Sequence, residues 1–165
     1  MFMYEALLRR AKSQSPIRVG LIGAGKFGSM FLAQVPSTPG LEVVAIADLF
    51  PDQARATCAS IGWSKELIAQ TIFSEDAVEI MQRVELDVIV EATGDPIAGI
   101  THARHAIANR RHIVMVNVEA DVLAGSFLAQ EAEEAGVVYS MAYGDQPALT
   151  CEMVDWARSS GFRVI

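Results

Sequence analysis

Twelve residues near the start, Ile17-Arg-Val-Gly-Leu-Ile-Gly-Ala-Gly-Lys-Phe-Gly28, constrain this chain more than any others. A short apolar strand runs directly into a G-x-G-x-x-G turn, and helix-like sequence follows. Gly23 suits the tight bend, Gly25 lets backbone approach a pyrophosphate, and Gly28 lets the helix pack closely on the strand. With Ala24, Lys26 and Phe27 they form a loop whose amides and helix dipole offer an anion site. Leu41 to Ala47 reads as a second strand ending on Asp48, twenty residues after Gly28. An acidic side chain there accepts hydrogen bonds from adenosine ribose hydroxyls. Ile17 to Asp48 is therefore a βαβ unit for a dinucleotide. A P-loop is excluded, because no Gly-Lys-Ser/Thr follows at the required distance. A methyltransferase loop usually carries an acidic residue just before its glycines, where this chain has Leu21 and Ile22.

Strand and helix alternate along the rest, the pattern of an α/β, Rossmann-type doubly wound parallel sheet with helices on both faces. Pro51 opens a helix with Ala54, Cys58 and Ile61 inward, ended by Gly62. A short helical excursion at 63–70 and a brief extended piece at 71–73 follow. Ser74 is read as the N-cap of a helix with Ala77, Met81 and Val84 on its apolar face. Residues 87–92 form a buried strand. Residues 96–109 form a helix with Ile97, Ile100, Arg104 and Ile107 on one side, and residues 112–116 the next strand. A helix at 123–135 is expected to turn Leu123, Phe127 and Leu128 inward. A strand at 137–140 follows, then a helix at 146–160 with Leu149, Met153 and Trp156 in register, and a last strand at 162–165. Without the brief piece at 71–73, these give six principal strands.

Residues 1–15 read as an amphipathic helical extension leaning on the sheet, and 16–165 as the dinucleotide-binding domain. A sheet that ends on the final residue suggests the front part of a longer protein, with its catalytic domain absent. The net charge of −7 speaks against a nucleic-acid surface, and apolar runs of strand length against a bilayer span. Cys58 and Cys151 match no metal spacing and read as buried, reduced thiols, with the cytoplasm as default location. The expected partner is a small-molecule substrate held through the absent domain; a homo-oligomer stays open.

Ligands on such sheets sit at the carboxyl ends of the strands. Thr93 and Gly94 would line the nicotinamide side, with Asn117 beside the ring. Glu119, Asp145 and Tyr143 are read as solvated loop residues. His102 and His105, at i, i+3, lack a third ligand and sit on a helix expected to face away from the cofactor, so no metal is assigned. No catalytic constellation is evident.

The segments from Arg18 to Gly28, Val90 to Pro96 and His112 to Asn117 resemble the cofactor half of the homoserine dehydrogenase superfamily. Within it, Val114-Met-Val-Asn-Val-Glu-Ala-Asp-Val and Tyr139-Ser-Met-Ala-Tyr-Gly-Asp-Gln-Pro look more like the deoxyxylulose-phosphate reductoisomerase-like (DXR-like) branch, whose members carry a SAF-like C-terminal module. The resemblance implies an NAD(P)-dependent oxidoreductase acting on a small carbonyl or hydroxyl substrate. Read as a strand end, Asn117-Val118-Glu119 also brings Val118 and Glu119 into the cofactor loop. Homoserine dehydrogenases place a catalytic lysine where Val118 stands, which argues against homoserine oxidation. Asp48 alone selects NAD, since it would repel a 2′-phosphate. The resemblance implies NADPH, with Arg55 reaching that phosphate if Asp48 turns away. NADP is placed ahead and NAD kept open. Two other readings remain, a homoserine dehydrogenase fragment and a non-catalytic module sensing the nucleotide's redox state.

Overall fold

In the computed structural model, which describes residues 3–144 and 146–165, six strands form one parallel sheet in the order β3-β2-β1-β4-β5-β6. The strands are β1 (Ile17–Ile22), β2 (Leu41–Ala47), β3 (Ile72–Ser74), β4 (Val88–Glu91), β5 (His112–Met115) and β6 (Tyr139–Met141). The helices are α1 (Met3–Lys12), α2 (Lys26–Gln34), α3 (Pro51–Ser60), α4 (Lys65–Gln70), α5 (Ala77–Arg83), α6 (Pro96–Ala108), α7 (Val118–Ala135) and α8 (Gln146–Ser159). This is the strand order of the Rossmann fold, with the switch point between β1 and β4.

Each face of the sheet carries its own core. One is built by Val19, Leu21, Leu32, Ile46, Cys58 and Trp63 under α2 and α3; the other by Ile22, Ile80, Met81, Ile89, Ala103, Met115 and Leu128 under α5, α6 and α7. β2 changes its alternation midway. Val19 pairs with Val43 but Gly20 with Ala45, so Val44 is the extra residue of a bulge, and Val44 and Ala45 pack on the same core. Gly20 faces Leu86 and Ile89, where a Cβ would come within 2.9 Å of the Leu86 side chain.

Several expectations are corrected. The sixth strand is β3, the brief piece set aside, while residues 162–165 join no sheet. The Phe162 amide instead donates to the Ala157 carbonyl, and its ring stacks on Trp156 at 6.3 Å. Asp76, not Ser74, caps α5, its carboxylate accepting from the Val78 and Glu79 amides. Ser74 closes β3 and accepts from the Asp76 amide.

α7 begins at Val118, and Leu123 and Phe127 are 63% and 54% exposed. Its inward residues are Ala120, Gly125, Leu128 and Ala132. α6 likewise buries Gly99, Ala103, Ala106 and Ile107, while Ile97 is exposed and Arg104 pairs with Glu131 of α7. The cause is common to both: α6 and α7 pack closely through small side chains, so their larger residues lie outside the seam. The apolar stripe of α8, Leu149, Met153 and Trp156, is exposed as well. α1 buries none of its residues and lies against the turn before β2, where Gly40 meets Leu7 and Arg10.

Candidate dinucleotide site

The glycine loop is shaped by close approach. Gly23, at φ +92°, donates its amide to Ala47 at 2.8 Å, and a Cβ on it would stand 2.8 Å from the Ala92 carbonyl. A Cβ on Gly28 would press into the Gly23 carbonyl oxygen, so β1 and α2 approach this closely only through glycine. At Gly25 the opposite holds: nothing lies within 4 Å of where a Cβ would project. Gly25 is also the N-cap of α2, and no side chain caps that helix. An uncapped helix start facing open space has the geometry of an anion seat. Lys26 and Phe27 form its first turn with their side chains exposed.

Asp48 is drawn to the same place. One carboxylate oxygen accepts from the Ala24 amide at 2.8 Å and the other from the Phe50 amide at 2.9 Å. A carboxylate has about four acceptor positions, so each oxygen keeps a lone pair for a ribose hydroxyl. The Arg55 guanidinium lies over the Phe73 ring, 4.3 Å from the centroid.

A cleft of about 600 Å³ opens beside these groups. Its walls include Gly23 and Gly25, Asp48 with Leu49 and Phe50, the 75–78 segment, Ala92, Thr93 and His102. The volume falls in the range of small-molecule sites. Leu49, Phe50, Ala77 and Val78 among the lining supply apolar surface for a flat ring.

At the other end of the loops, Gly94 has φ +77°, and Thr93 and Gly94 are exposed. Asn117 is only 2% exposed and its amide is committed: Oδ1 accepts from the Ala120 amide as the α7 cap, and Nδ2 donates to the Asp95 carbonyl at 2.8 Å. It ties the β4–α6 and β5–α7 loops together rather than reaching out of them. Val118 and Glu119 open α7, with Glu119 exposed, and neither lines the cleft. Tyr143 is exposed; Asp145 lies outside the described residues.

His102 departs from the expectation. It does not face away from the site: its ring lines the cleft, and Nδ1 lies 3.2 Å from Oε1 of Glu91, a fully buried carboxylate. Glu91, at the carboxyl end of its strand, is the site residue to which the sequence reading gave no role. The available signal was an acidic residue closing the apolar run Val88-Ile-Val, since a carboxylate in a buried strand needs a partner. Among the described residues, no three His, Cys, Asp or Glu side chains gather as a metal site. No helix among them is long and apolar enough to cross a membrane.

The fold and this cleft define the class: a Rossmann domain with a dinucleotide-type anion seat. Residues 17–143 match the GFO/IDH/MocA model, described as an oxidoreductase family with an NAD-binding Rossmann fold. The chain belongs to that family. No curated protein sequence matches it.

Among solved structures, the WlbA dehydrogenase of Bordetella pertussis, in complex with NADH and UDP-GlcNAcA, is 22% identical. It aligns over 88% of this chain and 42% of its own, with a TM-score of 0.66. A homoserine dehydrogenase of Thiobacillus denitrificans is 23% identical over 76% of this chain and 29% of its own, at 0.65. Biliverdin reductase of Synechocystis, with biliverdin and NADP+, is 17% identical over 78% and 38%, at 0.62. At these identities the likeness is one of fold, and this chain spans less than half the length of each.

Proposed function

We propose that this chain is the coenzyme-binding half of an NAD(H)-dependent oxidoreductase that transfers hydride to or from a small carbonyl or hydroxyl substrate. The observation that carries the proposal is the open, uncapped start of α2 at Gly25, with Asp48 held against the same loop. The α2 amides bind pyrophosphate, Asp48 accepts from the ribose hydroxyls, and Leu49, Phe50, Ala77 and Val78 flank the adenine. Thr93 and Gly94 border the nicotinamide, and Asn117 fixes their loop. When bound, the coenzyme supplies or accepts hydride; the chain orients it.

NAD(H) is favoured over NADP(H) by charge. Glu75 and Asp76 line the cleft with Asp48, so a 2′-phosphate there meets carboxylates. For the substrate, the motifs from Val114 and Tyr139 support a member of the reductoisomerase-like branch, and Val118 weighs against homoserine. The chain alone is proposed to bind without turnover, because it covers only a fraction of the solved oxidoreductases it resembles.

Calorimetric titration with both coenzymes, in oxidised and reduced forms, tests this. NADH should bind more tightly than NADPH. Asp48→Ala should weaken NADH about tenfold, the scale of a lost charged hydrogen bond, and narrow the preference. Absence of binding by all four forms would overturn the proposal.

A further inference from the structure

Glu91 closes β4 at 0% exposure. Its Oε1 accepts the Thr93 hydroxyl at 2.6 Å and meets His102 Nδ1 at 3.2 Å, whereas Oε2 is buried without a hydrogen-bond partner. Gly99, one turn before His102 on α6, leaves the necessary room: a Cβ there would come within 3.2 Å of Glu91 Oε2. The contact turns the Nδ1 edge of the ring to Glu91 and fixes its orientation. The His102 side chain is 17% exposed, and it borders the cleft that holds Asp48, Leu49, Phe50 and the 75–78 segment. Thr93 lines that cleft too, whereas Gly94, Asn117 and Val118 do not, and most of its lining lies on the Asp48 side. The ring therefore belongs with the adenosine end of the site.

We propose that His102 contacts the adenosine half of the bound dinucleotide and that Glu91 is its positioning residue. This rests on the coenzyme reading above. With Nδ1 turned to Glu91, Nε2 is the ring nitrogen left to meet a polar group of adenine or its ribose. A buried carboxylate with an unpaired oxygen is costly to keep. Its retention is explained if the imidazole it aligns has a ligand to meet.

The imidazole resonances of the full chain report this directly, because His105 and His112 lie outside the cleft and serve as internal references. Titration with NADH, and separately with ADP, should shift the His102 signals and leave the other two in place. His102→Gln should lower NADH affinity about tenfold with the circular dichroism spectrum unchanged. Glu91→Gln should displace the His102 signals already in the free protein. Two results would overturn the inference while leaving the coenzyme reading intact: NADH binding with the His102 signals unmoved, or His102→Gln binding as the wild type does. Signals that move with NADH but not with ADP would overturn the adenosine placement. No binding of NADH by the wild type would instead overturn the coenzyme reading itself.

Discussion

At the scale of single residues, Gly28 is the least replaceable position of the site. An added methyl group would collide with the Gly23 carbonyl, which is backbone and has no rotamer to yield. Gly28→Ala should therefore cost about 1–3 kcal/mol, as overpacking does, and weaken NADH binding with it, because relief comes only by tilting α2. Chemical denaturation with a parallel titration checks both. A variant as stable as the wild type would show that β1 and α2 are less tightly apposed.

The two cysteines give a second case. Burial pushes the Cys58 thiol up to about 11, against opposing effects of a backbone hydrogen bond and Arg55, whereas Cys151 is exposed. An aromatic disulfide reagent near neutral pH should modify one thiol per folded chain and two after denaturation, since the thiolate is the nucleophile. Two rapid modifications in the folded state would count against the packing around Cys58. What the sequence showed at this scale was backbone necessity: Gly23, Gly25, Gly28 and Asp48 sit at fixed spacings along one continuous segment. Glu91 and His102 escaped because their pairing depends on which face α6 turns to the sheet.

Elements were legible where side chains alternate between core and solvent, and obscure where packing is by small residues. The α5 stripe of Ala77, Met81 and Val84 faces the core as its spacing predicted. The α6–α7 seam misled, because Gly99, Ala103, Ala106, Ala120 and Gly125 carry little hydrophobic signal while approaching closely. The partner strand of α7 is fixed by a polar tie: the Tyr139 hydroxyl donates to Asp121 at 2.8 Å. Burial first, then the hydrogen bond and charge of Asp121, raise the Tyr139 phenol far above its ordinary value. The unfolded chain releases that proton at about pH 10 and the folded one does not. The contribution to stability is thus whole below about pH 10 and lost progressively above it. Tyr139→Phe should be about 1 kcal/mol less stable at pH 8, through the lost hydrogen bond, but should lose less stability between pH 10 and 11.5. Urea unfolding at the three pH values reads the difference. Equal losses in both proteins would mean that the phenol titrates freely in the fold.

Over the whole molecule, the count of six strands was right and one member wrong, because the fold's edge is set by crossover geometry that periodicity does not encode. β3 is only three residues long, yet it pairs with β2 from Ala45 to Ala47 and so supports the strand end that presents Asp48. The chain's last segment, apolar enough to resemble a strand, lies outside both cores. Trp156 is 65% exposed there, in contrast to Trp63, which is 5% exposed and donates its indole N–H to the Leu32 carbonyl at 2.8 Å. Stability and coenzyme binding should therefore reside in the part before α8.

A chain ending at Gly144 should unfold no more than about 5 °C lower than the intact one, the shift expected for roughly 1–2 kcal/mol in a domain of this size. It should also bind NADH equally well, since every residue lining the cleft lies between Ile22 and His102. Acrylamide quenching gives the matching optical test. The intact chain should show one accessible and one protected tryptophan, and the shortened chain only the protected one. If removing α8 lowered the unfolding temperature by about 10 °C or more, or abolished NADH binding, α8 would be part of the structural unit that forms the cleft, and the division drawn between core and periphery would fail.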